Sequence, residues 1–131
     1  MAILDHIGIN VSSYPRSKAF YEKALAPLGI EVVREYGTWC GMGRDKKPAF
    51  WFGEGVSKFQ TAEQLKVITP VHVSFVARSR AEVDAFYAAA IAAGGKDNGK
   101  PGVRKEYHPS YYGAFVIDPD GHNVEAVIHT A

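Results

Sequence analysis

The amino-acid sequence predicts an α+β protein built from two paired β-α-β-β-β modules, and three observations support this fold class. Sliding the chain against itself by 66 positions, which lays His6 on His72, aligns identical residues at eight of the twenty-four positions from His6 to Gly29. Chance would give roughly one or two matches. Each copy has the pattern of a strand, a helix and then short β-like segments. A half-sheet with a single helix cannot bury its apolar surface alone, so the two copies must pair.

In each copy a strand leads into a helix. The strands are expected at 4–11 and 71–77, and each is followed by a serine, a helix with a Phe-Tyr pair, and a glycine where the helix should stop. Ser79 and Glu82 form a capping box for the second helix. Pro15 falls in the opening turn of the first helix, where a missing N–H is tolerated. The second helix presents one apolar face, formed by Val83, Phe86, Tyr87, Ala90 and Ile91.

Short β-like segments follow each helix, and a polar stretch separates the two copies. The sequence Asp118-Pro119-Asp120-Gly121 places Pro and Gly at their preferred turn positions and predicts a hairpin between the last two strands. The polar residues 54–70 are the expected linker, giving a single domain with module one at 1–53 and module two at 71–131. The expected β segments are 31–35, 38–42 and 49–52 in copy one, and a region near 103–106, then 113–117 and 124–128, in copy two.

Composition and charge exclude several classes of protein. The chain is 47% hydrophobic and 22% charged, which is typical of a globular domain. A net charge of +1 without long charged blocks argues against binding to nucleic acid or to an anionic membrane. There is no apolar run of the roughly 20 residues that a membrane span needs. We therefore expect a soluble, cytoplasmic protein. The single cysteine, Cys40, cannot form an internal disulfide, which agrees with a reducing compartment.

The repeated histidines share a strand face with small or polar residues. By strand alternation His6 lies with Gly8 and Asn10, and His72 lies with Ser74. A core-facing position would normally carry a branched apolar side chain, so this pattern indicates space for a ligand above each strand. A single strand histidine is more often a hydrogen-bonded structural residue than a ligand. Its recurrence at the same phase of a repeat favours a binding role.

A carboxylate on the last strand completes a candidate set of ligands. Glu125 shares a face with Asn123 in a strand whose other positions are apolar. Burying such a carboxylate is costly unless it is paired or bound to a metal. Two imidazoles and a carboxylate are a donor set for a divalent metal ion.

Three sequence segments resemble the vicinal oxygen chelate superfamily, which includes glyoxalases, extradiol dioxygenases, fosfomycin-resistance enzymes and bleomycin-binding proteins. The segments are LDHIGINV, PVHVSFV followed by AFY, and AFVIDPDGHNVEAV. The resemblance implies the glyoxalase-like fold, in which the paired modules form a curved mixed-sheet cup around a divalent metal ion such as Fe, Mn, Ni or Zn. It also implies His6, His72 and Glu125 as the metal ligands. The resemblance permits a monomer, a side-by-side dimer or a swapped dimer, and of these we expect a homodimer.

The segment from 49 to 52 departs from the glyoxalase pattern. Members that resemble this chain place a fourth ligand on that strand, but its sequence here is Ala-Phe-Trp-Phe. The four-ligand site and its usual base are therefore incomplete. Glu54 lies just beyond the strand and is a weak substitute. The aromatic run is expected to form core and one wall of an apolar pocket.

The stretch from His108 to Glu125 is similar to the extradiol dioxygenase signature but lacks one phenol. Phe115 stands where that signature carries a tyrosine. Tyr111 and Tyr112 are candidates to replace the phenol or simply cover the pocket, and His108 is a candidate general acid or base or else a surface loop residue.

Three functions follow from the resemblance. The preferred one is a metal-dependent, glyoxalase-like lyase or isomerase acting on a small molecule with adjacent oxygens. The alternatives are an extradiol-type ring-cleaving dioxygenase and a metal-free small-molecule binding protein of the bleomycin-resistance kind. None of them calls for nucleic acid or a membrane as partner.

Overall fold

The computed structural model describes residues 3–55, 61–64, 66 and 70–130. The described chain forms two four-stranded sheets and two α-helices. Nine of the seventeen residues of the expected linker, 54–70, lie outside the described residues. The elements are β1 (Ile7–Asn10), α1 (Tyr14–Leu25) with a 3-10 turn (Ala26–Leu28), β2 (Glu31–Tyr36), β3 (Trp39–Gly43), β4 (Phe50–Gly53), β5 (His72–Val76), α2 (Arg80–Ala92), β6 (Lys96–Val103), β7 (Tyr112–Ile117) and β8 (Asn123–Ile128).

The two sheets have the same topology. Their strand orders are β1-β4-β3-β2 and β5-β8-β7-β6. The neighbours β1 and β4 are parallel, as are β5 and β8, and the remaining pairs are antiparallel. Two parallel strands can be joined only by a crossover connection, and in each module that connection starts with the helix that follows the first strand. The predicted α+β fold with mixed sheets is confirmed.

Serines and glycines set the helix ends. The Ser13 hydroxyl accepts a hydrogen bond from the Arg16 N–H at 3.4 Å, and Ser79 accepts from the Glu82 N–H at 3.1 Å. Gly29 ends the first helical segment in the left-handed region, at φ 73°. In the second copy the left-handed residue is Gly94, at φ 102°, one position before the glycine that the repeat aligns with Gly29.

The prediction for the sixth strand was wrong in position. We expected a β segment near 103–106, but β6 occupies Lys96–Val103 and the following residues form a turn. The register between β6 and β7 shifts twice, on either side of Gly99. Glycine and proline inside this strand disguise it as a loop, because both are unusual in a regular strand and typical of bulges.

The core joins the two halves of the molecule. The two helices pack against each other, and their aromatic pairs bury Phe20, Tyr21 and Phe86 almost completely. The Tyr21 ring meets Phe50 of β4 edge-on, with ring centres 5.0 Å apart. Each large buried side chain contributes about 1.5–3 kcal/mol to folding. Neither helix in the described part of the chain is long and apolar enough to span a bilayer.

The predicted turn at 118–121 connects the two halves through a buried carboxylate. The Asp118 side chain accepts hydrogen bonds from the backbone N–H groups of Asp120 and His122, both at 2.8 Å. Its second oxygen accepts from the Tyr21 hydroxyl at 2.5 Å. Burial and the Asp118 charge raise the pKa of Tyr21 well above its usual value, so the phenol stays a donor.

His122 makes a second connection between the halves. Its Nδ1 accepts a hydrogen bond from the Val71 N–H at 3.0 Å, so the ring proton lies on Nε2, which donates to the Asn10 carbonyl at 3.1 Å. Both ring nitrogens are therefore used, and the side chain is 1% exposed. His122 is a structural residue that holds the start of β8 beside the end of β1.

Replacement of Tyr21 by Phe should destabilise the protein. The change leaves one Asp118 oxygen buried without its donor, which typically costs about 1–3 kcal/mol. Tyr87 occupies the same position in the second copy but is only partly buried, so Tyr87→Phe should change stability by less than about 0.5 kcal/mol. Urea denaturation of both variants measures the difference. Equal losses in the two variants would contradict the assigned role of Asp118.

Candidate functional site

The second sheet brings His72 and Glu125 into contact. Strands β5 and β8 are parallel neighbours in which His72 pairs with Asn123 and Ser74 pairs with Glu125, so the two candidate ligands are diagonal neighbours on one face. His72 Nε2 lies 3.1 Å from Glu125 Oε1. Glu125 is only 1% exposed, although it carries a carboxylate. This contact is the centre of the candidate site.

The partner of the other ring nitrogen fixes how His72 faces this carboxylate. His72 Nδ1 lies 3.0 Å from the backbone carbonyl oxygen of Asn123. A carbonyl only accepts hydrogen bonds, so Nδ1 carries a proton. In the neutral ring, Nε2 then has a lone pair and no hydrogen, and that lone pair faces a carboxylate oxygen. A cation, either a proton or a metal ion, is needed between the two atoms.

Tyr111 occupies the second oxygen of this carboxylate. Its hydroxyl donates to Glu125 Oε2. Burial, with the Glu125 carboxylate adding to it, raises the pKa of Tyr111, so the phenol is a hydrogen-bond donor at neutral pH. The absence of a side chain at Gly113 makes room for both groups, because a Cβ there would lie 3.1 Å from Glu125 Oε2 and 3.2 Å from the Tyr111 ring.

Phe115 supports the His72 ring. It pairs with Glu125 across β7 and β8, and its ring stacks on His72 at 6.2 Å with an angle of 26° between the planes. The Arg104 guanidinium lies 5.4 Å from the centre of the Phe115 ring. Phe115, noted in the sequence for its missing hydroxyl, thus serves as a packing surface that restricts rotation of His72.

His6 lies apart from this pair within the single chain. It precedes β1, and its side chain is 58% exposed. Its Nδ1 lies 2.7 Å from a carboxylate oxygen of Asp5, an arrangement that leaves Nε2 for another partner. Hydrogen bonds from Lys47 and His6 lower the pKa of Asp5 to about 2. Among the described residues, no three or more His, Cys, Asp and Glu side chains lie close enough together to hold a metal ion.

A cavity of about 460 Å³ links the two histidines, because both His6 and His72 line it. Its walls are largely apolar and include Ile7, Phe50 and Phe75. The volume falls in the range of pockets for small molecules. The described structure therefore places the two repeated histidines on one cavity without bringing them into contact.

The sheet register explains the missing fourth ligand. Gly8 pairs with Trp51 in the first sheet as Ser74 pairs with Glu125 in the second, so Trp51 occupies the position that corresponds to Glu125. The indole covers Gly41, where a Cβ would lie 2.7 Å from the Trp51 ring. The first sheet thus presents an aromatic surface where the second presents a carboxylate.

Other described residues of the first sheet also contribute aromatic surface or structural contacts and no free carboxylate to the corresponding position. Phe50 and Phe52 are buried in the core, as expected, while Trp51 stacks on Tyr36 with ring centres 6.3 Å apart. The weak substitute ligand, Glu54, accepts a hydrogen bond from the Tyr14 N–H at 2.7 Å. Its carboxylate therefore caps the start of α1.

The remaining catalytic candidates have other partners. His108 Nδ1 accepts from the Ser110 N–H at 3.1 Å, so its Nε2 carries the ring proton and donates to His129 Nδ1 at 2.9 Å. The Tyr112 hydroxyl donates to Asp84 of α2 at 2.6 Å. Tyr112 precedes Gly113 in the strand and so faces the opposite side of β7 from Glu125.

Sequence reasoning missed several supporting groups. Asp5 directly precedes His6, and this adjacency in the sequence could have predicted their hydrogen bond. The Asn123 group that orients His72 is a backbone carbonyl, which any residue at that position would supply. His129 lies near the end of the sequence, and its contact with His108 spans 21 positions without a motif.

Comparisons with known proteins agree on the family and the fold. The sequence model of the Glyoxalase/Bleomycin resistance protein/Dioxygenase superfamily matches residues 3–126. No curated protein matches the chain. The structure of a glyoxalase/bleomycin resistance protein from Albidiferax ferrireducens T118 is 28% identical with a TM-score of 0.78, and the match covers 96% of this chain and 98% of that chain.

Two more distant solved structures share the fold. A glyoxalase/bleomycin resistance protein/dioxygenase family enzyme from Burkholderia phytofirmans PsJN is 19% identical with a TM-score of 0.68, covering 96% of this chain and 98% of that chain. The hypothetical protein SA1046 from S. aureus is 24% identical with a TM-score of 0.70, covering 98% of this chain and 94% of that chain.

The two buried carboxylates should respond differently to neutralisation in the metal-free protein. Asp118 accepts two backbone N–H groups and a phenol, so Asp118→Asn should lower the free energy of unfolding by about 2 kcal/mol. Without a metal ion, Glu125 needs a proton between its Oε1 and His72 Nε2, whereas the amide of Glu125→Gln can donate to that nitrogen directly, so the variant should leave stability unchanged or raise it by about 1 kcal/mol. Urea denaturation in the presence of a chelator measures both. A loss in Glu125→Gln as large as in Asp118→Asn would mean that Glu125 is a structural residue.

Proposed function

Because the chain belongs to the Glyoxalase/Bleomycin resistance protein/Dioxygenase superfamily, we propose that it is a divalent-metal-dependent enzyme that acts on a small molecule with two adjacent oxygens. The reaction we propose is that of a glyoxalase-like lyase or isomerase. One observation supports the metal dependence: His72 Nε2 faces a buried carboxylate oxygen of Glu125 at 3.1 Å, while the other ring nitrogen is bonded to a backbone carbonyl.

The donor atoms suit a first-row divalent ion. Two ligands bound at right angles, each about 2.0–2.1 Å from an ion, lie about 2.9 Å apart, close to the separation of His72 Nε2 and Glu125 Oε1. Imidazole nitrogen with carboxylate oxygen is a donor set for Fe, Mn, Ni or Zn. His6 is the third proposed ligand, through the Nε2 that its bond to Asp5 leaves available. When bound, the ion would polarise two substrate oxygens and stabilise the negative charge that develops on them.

The surrounding residues hold these ligands in place. The Asn123 carbonyl fixes the His72 tautomer, as backbone acceptors commonly do for metal-binding histidines. Phe115 restricts the ring from one side. The largely apolar cavity beside both histidines would exclude water from the apolar part of a substrate. We assign Tyr112 and His108 no contact with the substrate, because their polar atoms are bonded to Asp84, Ser110 and His129.

A homodimer forms part of this proposal. Within one chain His6 is exposed and bonded to Asp5 instead of joining His72 and Glu125. We propose that His6 of a second copy of the chain completes each site, since a two-fold axis would offer this histidine to both sites of the dimer.

The choice between lyase and dioxygenase rests on a phenol. Phe115 has no hydroxyl, and the Tyr111 hydroxyl is already donated to Glu125. A ring-cleaving dioxygenase of the similar signature would lack its expected proton donor, whereas a lyase or isomerase does not need it. The alternative of metal-free binding is favoured by one feature, the stacked and partly exposed pair of Tyr36 and Trp51.

Purification without chelator should give a protein that holds about one divalent metal ion per chain. His72→Ala and Glu125→Gln should lose it, because each removes one of the two ligands that are already in contact. Elemental analysis counts the metal, and sedimentation equilibrium gives the mass of the metal-loaded protein, expected to be that of a dimer. Trp51→Phe, at the corresponding position of the first sheet, is the control and should retain the metal. A metal-free wild-type protein that still binds planar ligands would instead support sequestration.

Assays on the metal-loaded protein should separate the two reactions. Isomerisation of a glutathione hemithioacetal, followed by ultraviolet absorbance, is the probe for the lyase or isomerase reaction. Oxygen uptake with catechols, which we expect to be absent, is the probe for the dioxygenase reaction. The metal-depleted protein should be inactive and should recover on addition of the ion. Oxygen consumption with catechol would overturn the lyase assignment in favour of the dioxygenase.

A further inference from the structure

We propose that Tyr111 is a positioning residue that makes Glu125 a one-oxygen ligand. The inference rests on the proposed metal site, and it assigns to Tyr111 a different role from proton donation to a substrate. Its hydroxyl donates to Glu125 Oε2, while Oε1 of the same carboxylate faces His72 Nε2. The two oxygens thus have separate partners, and one of them is reserved for the ion.

A carboxylate without this restraint has two ways to bind an ion. It can use one oxygen or both, and two-oxygen binding occupies a further coordination position. A substrate that chelates through adjacent oxygens needs two positions open, so a one-oxygen carboxylate is the arrangement that fits the proposed chemistry. The Tyr111 hydrogen bond selects it by engaging the second oxygen.

The Tyr111 ring is held rigidly enough for this role. Tyr107, His108 and His129 surround it, with ring centres 4.8, 5.4 and 5.1 Å from its own. Its backbone N–H donates to the His108 carbonyl at 3.2 Å, and its carbonyl accepts from the Arg104 N–H at 2.8 Å. The phenol is therefore oriented before any ion binds, as expected of a group that positions a ligand.

The hydrogen bond between His108 and His129 belongs to the same support. It joins the loop before β7 to the residue that follows β8, at 2.9 Å. The two rings stack on each other and both meet the Tyr111 ring edge-on. In this inference, His108 acts through Tyr111 and does not contact the substrate.

Cobalt(II) titration of the metal-free protein tests the inference, because the absorption bands of cobalt report its coordination number. Tyr111→Phe keeps the ring and removes the hydrogen bond. We expect it to bind Co(II) about 10–100-fold more weakly than wild type, the usual range for the loss of a group that orients a metal ligand. We also expect its absorption spectrum to change. Tyr112→Phe is the matched control, since the neighbouring phenol bonds Asp84, and it should bind Co(II) as wild type does with the same spectrum.

The outcomes separate this inference from the proposed function. A wild-type protein that takes up no cobalt overturns the metal-enzyme proposal and this inference with it. Wild-type affinity and an unchanged spectrum in Tyr111→Phe overturn the inference alone. If Tyr111→Phe does not fold, Gly113→Ala tests the same contact, because its Cβ would press on Glu125 Oε2 and the Tyr111 ring. The same weakening and spectral change are expected there, and their absence counts against the inference.

Discussion

The candidate site depends on one contact, the approach of His72 Nε2 to a buried oxygen of Glu125. A carboxylate in the middle of a sheet costs several kcal/mol to desolvate, and only good partners offset that cost. Glu125 has one neutral donor, Tyr111, and a histidine whose other ring nitrogen is bonded to the Asn123 carbonyl. Such a pair is poorly explained as a stabilising interaction. It is better explained as part of a cation-binding site.

The contrast with Asp118 supports this interpretation. Both carboxylates are buried and both accept a hydrogen bond from a tyrosine. Asp118 also accepts two backbone N–H groups, which satisfy it within the fold. The turn that contains Asp118 leads directly into β8, so the residue that joins the two halves of the protein also fixes where the Glu125 strand begins. Stability and the proposed function are thus assigned to different carboxylates of the same hairpin.

Much of the fold followed from the sequence because its signals were local or repeated. The 66-residue repeat, the capping serines and the Asp-Pro-Asp-Gly turn each have a mechanism that acts over a few residues. Strand β6 was predicted at the wrong position because its bulges around Gly99 interrupt the alternation on which strand prediction depends. The α+β fold and the family were correctly predicted.

The site was predictable only in part, for a different reason. Strand alternation placed His72 and Glu125 on one face, since two neighbouring strands determine that geometry. The partners of Tyr111 and His108 depend on the path of a loop and on the end of the chain, and no periodicity reports either. The distance of His6 from His72 and Glu125 could not follow from alternation, which fixes the face of a strand and not the distance between strands of different sheets. In the described part of the chain His6 lies apart from the other two side chains.

The pairing of Trp51 with Gly8, where the second sheet pairs Glu125 with Ser74, has a consequence for the symmetry of the molecule. Duplicated modules with matching side chains would carry the same donor at corresponding positions of both sheets. Here the first sheet carries an indole at that position and the second carries a carboxylate. The backbone is therefore duplicated while the chemistry is not, because of these two corresponding positions only the one on β8 supplies an anionic oxygen.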